Sequence, residues 1–246
     1  MWWIALLGAA VSAGVAAWRA RGSDERQRAI MLTCWRAGLR FSVLNPFPDI
    51  MWLPFPVFAP ARSPRVANVV WDRRDEAQRA FDVTIRAIGP EQGTGLELSD
   101  TIAMSCATAT LPFSCPRLAV IARRTTDPSG IELVGDEIAL ELEPFNRRYR
   151  VVATDPRAAV ALLDQRMMRA LMALPVAASV HVNERTLLLV APRVRPTEML
   201  LMLETARVLA RAVPPVTASL YPPRPEVGPH EARWRQGRWS PEPTGS

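Results

Sequence analysis

The sequence predicts an α+β domain behind an N-terminal transmembrane helix, with an antiparallel sheet carrying two helices packed on one face. Three observations lead there. Residues 1–18 contain no charged side chain. Short apolar runs after residue 66 are separated by Pro and Gly turn signals, as expected of an antiparallel meander. Two later stretches place apolar residues three and four apart, the spacing that puts them on one face of a helix.

The apolar run from Met1 to Trp18 would extend roughly 27 Å as a helix at about 1.5 Å per residue, just enough for a hydrocarbon core of about 30 Å. Trp2, Trp3 and Trp18 stand at its ends, where indole rings favour the membrane interface. A secretory signal is the competing reading, but the basic residues Arg19, Arg21, Arg26 and Arg28 all follow the run rather than precede it. The positive-inside rule then keeps these arginines in the cytoplasm. The expectation is a single-pass anchor in the cell membrane, with a cytoplasmic body.

Residues 19–40 read as a juxtamembrane amphipathic helix. Ser23, Asp24 and Glu25 form a start signal, Ile30, Met31, Cys34 and Trp35 a short apolar stripe, and Gly38 a stop. Such a helix could lie along the membrane surface or pack on the domain, and the pattern does not separate the two. Residues 41–65 carry Pro46, Pro48, Pro54, Pro56, Pro60 and Pro64 among Phe47, Trp52, Leu53, Phe55 and Phe58. That spacing excludes a helix and a central strand. It predicts an extended arm over the domain's own apolar surface, with a groove-filling arm for a partner as the other reading.

Residues 66–221 make up the domain. Strands are expected at 66–70, 81–88, 103–111, 118–123, 131–134 and 138–142. Tyr149, Val151 and Ala153 alternate with Arg148, Arg150, Val152 and Thr154, the period of a half-buried strand. Asp155 caps and Pro156 opens a helix predicted to run to Leu174, with Ala159, Leu163, Met167, Ala170 and Leu171 on its apolar face. Residues 179–183 and 187–191 flank Glu184 and Arg185 like a hairpin. A last helix follows Thr197, with Leu200, Leu203, Ala206, Leu209 and Val213 inward, and Pro214 and Pro215 end it. Residues 222–246 turn to Pro, Gly, Arg and Glu without apolar period and read as a disordered tail.

The run Glu141-x-x-x-Phe145-Asn146-x-x-Tyr149-x-Val151, continued through Asp155, Ala158 and the leucine-rich stretch to Met168, resembles a segment found in bacterial, actinobacterial-type membrane-anchored proteins of unknown function. The resemblance implies a membrane-tethered α+β domain. It brings no catalytic residues.

The chain has 246 residues, 49% of them hydrophobic and 22% charged, enough for a real core. Its 30 basic residues are all Arg, so no Schiff-base or phosphate-loop lysine exists, and pyridoxal enzymes and Walker-type nucleotide hydrolases are excluded. A net charge of +6 suits an anionic partner such as lipid headgroups, or simply a solvated surface. Cys34, Cys106 and Cys115 are too few for a disulfide framework and read as reduced, partly buried small hydrophobes, although Cys106 and Cys115 could pair in an oxidising compartment. His181 and His230 offer no metal-ligand spacing, and Gly93-Thr94-Gly95 lacks the rest of a dinucleotide loop. No cofactor is expected.

Two arginine sets are candidate interaction surfaces. One is Arg147, Arg148 and Arg150 beside Asn146, suited to an anionic group or to pairing with nearby carboxylates. The other is Arg233, Trp234, Arg235, Arg238 and Trp239 in the tail, where cations interleave with aromatics in a way that suits anionic lipid or, less well, single-stranded nucleic acid. Asp136, Glu137, Glu141 and Glu143 could serve acid-base chemistry or form a solvated face. These features predict a non-enzymatic interaction or scaffold domain held at the membrane, with lipid or an unknown protein as partner. The alternative is a cell-envelope enzyme using the carboxylates and arginines between Asp136 and Arg150. Convergence of Glu141, Glu143, Arg148 and Arg150 in a closed pocket would favour the enzyme.

Overall fold

A computed structural model describes residues 22–86, 101–123, 134–174 and 178–223. The expected anchor, residues 1–18, and the arginine and tryptophan cluster of the tail lie outside these. Among the described residues no helix is long and apolar enough to cross a membrane.

The fold is α+β, a seven-stranded antiparallel sheet with several helices. Helix α1 covers residues 22–37. The strands are β1 (Arg40–Leu44), β2 (Arg65–Asp72), β3 (Asp75–Arg86), β4 (Thr101–Ala122), β5 (Asp136–Ile138), β6 (Tyr149–Ala153) and β7 (Ser179–Pro192). Between and after them run α2 (Glu143–Arg148), α3 (Pro156–Leu162), α4 (Gln165–Met172), α5 (Glu198–Ala212) and α6 (Pro215–Leu220). The sheet order is β1-β2-β3-β4-β6-β5, with β7 along the other edge of β4.

Strand β4 is the spine. Its first half pairs with β3, its last five residues with β6, and nearly its whole length with β7. The sequence predicts two strands here, because Pro112 and Pro116 read as breaks. Both prolines fall where β4 has left β3 and not yet met β6, so their missing N–H costs no ladder bond on that edge. The β4–β7 register shifts on either side of Cys115, which absorbs the irregularity as bulges.

The expected hairpin at Glu184 and Arg185 is likewise one strand. Glu184 adopts φ 52° and pairs with Cys115 between the two register shifts, so the polar pair marks a bulge and β7 runs on. The single helix expected from Pro156 is two. Leu163 leaves helical geometry at φ −97°, ψ 58°, and Asp164 recaps by accepting from the Met167 amide at 2.8 Å. Strand β1 falls where no strand was expected; of the strand expected over 138–142 only Ile138 is in a strand, as the last residue of β5, and the one expected over 131–134 lies outside the described residues except for Val134. Pro215 opens α6 instead of closing the chain's last helix.

Apolar side chains divide between the two sheet faces. Ile30 and Cys34 of α1, Phe145, Leu162, Met168, Leu171, Met202 and Leu209 pack from the helices onto Ala107, Phe113, Val120, Val151, Val182 and Leu189. The helices thus share one face as expected, but more than two of them cover it. On the opposite face Ile50, Phe55, Val57 and Phe58 bury Val69, Phe81, Val83, Met104, Cys106 and Leu188. The segment supplying this cover is not extended: three short 3-10 turns, Pro48–Trp52, Pro56–Phe58 and Pro60–Arg62, each open on a proline. Proline at the first helical position loses only an N–H that would be unpaired.

Candidate functional site

The arginine-rich strand meets the carboxylates at the β5–β6 edge. Strand register sets Glu137 opposite Val152, two residues along β6 from Arg150, and the far end of β4 brings Arg123 alongside. Glu137 accepts from Arg123 at 2.5 Å and pairs with Arg150 at 3.2 Å, all three side chains being nearly half exposed. Arg123 also donates through Nε to the carbonyls of Asn146 and Tyr149.

Asn146 is a local brace. Its side-chain oxygen accepts from the Leu140 amide at 3.0 Å and its nitrogen donates to the Leu140 carbonyl at 2.6 Å. Arg148 reaches the carbonyl of Met172 at 2.5 Å and stacks above the Tyr149 ring. Tyr149 is buried, donates to the Leu171 carbonyl at 2.8 Å, and has its hydroxyl pKa raised by burial, with Arg148 pulling the other way. Arg147, Asp136, Glu141 and Glu143 are exposed. Glu141, Glu143, Arg148 and Arg150 therefore do not close around one point. Arg148 turns to α4 and Arg150 to β5, while the two glutamates face solvent. The chemistry available here is ion pairing on an open edge.

Two arrangements were not anticipated. The first joins α1 to the sheet. Arg26 grips Asp82 of β3 with Nε and Nη2 at 2.8 Å each and donates from Nη1 to the Val194 carbonyl at 2.6 Å. Asp82 also accepts from Asn68 and Ser105, both at 2.8 Å, with Arg193 at 3.6 Å. Burial pushes the Asp82 carboxyl up, but the Arg26 hydrogen bonds and charge, with Asn68 and Ser105, outweigh it and hold its pKa below the ordinary value. Asn68 sits at φ 55°, and its Oδ1 is buried with no hydrogen-bond partner among the described residues.

The second is a groove of about 420 Å³, counting its open mouth, on the face opposite the helices. Phe55 and Pro56 form one wall, Ala119 and Val152 the floor, and Arg117 and His181 supply polar groups. Phe55 meets the His181 ring edge-on at 6.5 Å, and Asn183 donates to the Pro54 carbonyl at 2.8 Å, tying the wall down. His181, which offered no metal-ligand spacing in the sequence, is buried beside this groove. Its position two residues from Asn183 on a strand is the signal that could have marked it.

Cys34, Cys106 and Cys115 are free and buried. Cys106 belongs to the cluster under the proline turns and Cys115 to the cluster under the helices, so the sheet separates them and a bridge is ruled out in this fold. Burial pushes the Cys34 thiol up to about 11 and, helped by the Asp155 charge, Cys115 to about 12. Among the described residues no group of three His, Cys, Asp or Glu could hold a metal. Gly93-Thr94-Gly95, His230, Arg233, Trp234, Arg235, Arg238 and Trp239 lie outside the described residues.

No family model and no curated protein matches the chain. Among solved structures it is similar to the crystal structure of the mycobacterial trehalose monomycolate transport factor A, TtfA. That likeness has 16% sequence identity and a TM-score of 0.48, and covers 77% of this chain and 97% of the other.

Proposed function

We propose that this protein is a membrane-tethered, non-enzymatic interaction domain, anchored through Met1 to Trp18 and displaying the Arg147, Arg148 and Arg150 rim to an anionic lipid or protein partner. The observation that carries the reading is the open β5–β6 edge. There the arginines and carboxylates pair in solvent, with Glu137 shared between Arg123 and Arg150, instead of converging on a substrate-sized pocket. The Arg26 clamp supports the tether, because the helix that directly follows the apolar run is fixed to the sheet and would hold the domain in one orientation.

Fractionation tests the tether. The full chain should stay with membranes through an alkaline wash, and deletion of residues 2–18 should release a folded protein. Release of the full chain by the wash would refute it. A reporter active only outside the cytoplasm, fused after Ser246, should be silent if the body is cytoplasmic.

A further inference from the structure

Helix α1 has two faces, and the domain uses one. Ile30 and Cys34 are fully buried in the core and Arg26 is locked onto Asp82. On the other side Met31, Leu32 and Trp35 stand 48%, 51% and 78% exposed. Positions 28, 31, 32, 35 and 36 share one side of a helix at 3.6 residues per turn, and Arg28 and Arg36 flank the apolar residues there, also exposed. A solvated helix does not need an indole, a leucine and a methionine together on its outer face.

The sequence says what would cover them. The chain enters α1 from the uncharged run of residues 1–18, with only Arg19, Ala20 and Arg21 between that run and Gly22. Apolar residues flanked by Arg28 and Arg36, with the exposed carboxylates Asp24 and Glu25 confined to the first turn, on a helix separated by three residues from an apolar run, match the boundary between headgroups and acyl chains. Trp and Leu settle there, and Arg reaches anionic phosphates.

We infer that the outer face of α1 is a membrane-docking surface, with Met31, Leu32 and Trp35 inserted at the headgroup boundary of an anionic bilayer and Arg28 and Arg36 on its phosphates. This rests on the tethered reading above. It also resolves the choice left open by the sequence, since the helix packs on the domain with one face and on lipid with the other. Docking of this face would turn the helix layer toward the bilayer and leave the proline turns and the groove facing away from it.

The test uses the full chain in vesicles of phosphatidylcholine with phosphatidylglycerol. Nitroxides are placed at position 32 or 35 through L32C or W35C, with A61C, on the exposed proline turn across the sheet, as reference. The native cysteines are buried and stay unlabelled. At 32 and 35, collision with oxygen should exceed collision with a water-soluble nickel chelate, and at 61 the order should reverse. In phosphatidylcholine alone, nickel accessibility at 32 and 35 should rise toward that at 61. Labels at 32 and 35 as wet as the one at 61, on vesicles that carry the protein in flotation, would overturn the docking while leaving the tether intact. Failure of the full chain to float would remove both. Shielding of 32 and 35 with spin–spin broadening would show a second copy on this face and would also overturn the proposal.

Discussion

Arg26 and Asp82 form a two-pronged ion pair with side chains 12% and 6% exposed, tying the first described helix to the middle of the sheet. Removing one partner of a buried pair leaves the other charge uncompensated, at a cost of about 3–5 kcal/mol. R26A should lower the denaturation free energy by that amount and open α1 to protease near Gly38. A loss under about 1 kcal/mol in urea melts would show that the pair is solvated.

The same pair sets an acid response. A carboxyl depressed on folding adds stability that is complete above its unfolded value and is lost as pH falls through the folded one. Asp82 is such a group. The stability gap between the wild type and D82N should therefore narrow as pH drops below about 4, the ordinary Asp value. A gap that stays constant through that range would refute the depression.

Tyr221 reaches back to Asp155, the cap of α3, with its hydroxyl 2.6 Å from Oδ2. Burial first, then this hydrogen bond and the Asp155 charge, push the Tyr221 hydroxyl up to about 12. A raised value in the folded state means stability that is full below the unfolded tyrosine value and lost as pH rises through about 12. The chain has two tyrosines, and Tyr149 is raised as well. Phenolate absorbance of the folded protein should thus stay flat near pH 10, the ordinary tyrosine value, and D155N should bring one tyrosine back toward it. Ionisation near 10 in the wild type would sink the assignment.

Gly135 has φ +125°, and a Cβ there would sit 2.3 Å from the Ala153 carbonyl oxygen and 2.8 Å from the Thr154 nitrogen. Backbone atoms cannot swing aside. G135A should cost more than about 1 kcal/mol, beyond the range of a compatible Gly→Ala change, and should loosen β5 against β6 in hydrogen exchange. Unchanged exchange at β5 would show that this turn relaxes freely.

Glu137 gives a contrast. Its partners Arg123 and Arg150 are 44% and 47% exposed, so E137Q should change stability by less than about 1 kcal/mol, and salt should erase most of that. A larger loss in thermal melts would make the rim a structural element rather than a displayed one.

What the sequence made legible was local. Asp155 followed by Pro156 announces a helix start, and Asp155 does accept from the Arg157 amide at 2.9 Å. Alternation through Tyr149, Val151 and Ala153 announces β6. Prolines 112 and 116 misled because a strand's tolerance for proline depends on which neighbours it has left, which only the assembled sheet decides. Glu184 and Arg185 misled because a bulge and a turn use the same polar residues. The Arg26 clamp was illegible because its partner lies 56 positions away. An Asp within the apolar run of β3 was the one visible sign. Of the candidate site, residue types were readable, but not that Arg150 would take Glu137 while Arg148 turned to Met172.

The length of β4 also fixes an order of events during synthesis. Its apolar residues point both ways, and β7, which closes its long free edge, is made much later, with Met104 meeting Pro192. Pairings this distant in sequence form late and slowly. A chain leaving the ribosome can hold β4 against β3 and then β6, but the opposite edge of β4 stays unpaired until Ser179–Pro192 has emerged. A chain truncated before β7 should therefore aggregate or hold a chaperone, whereas one truncated after α6 should not.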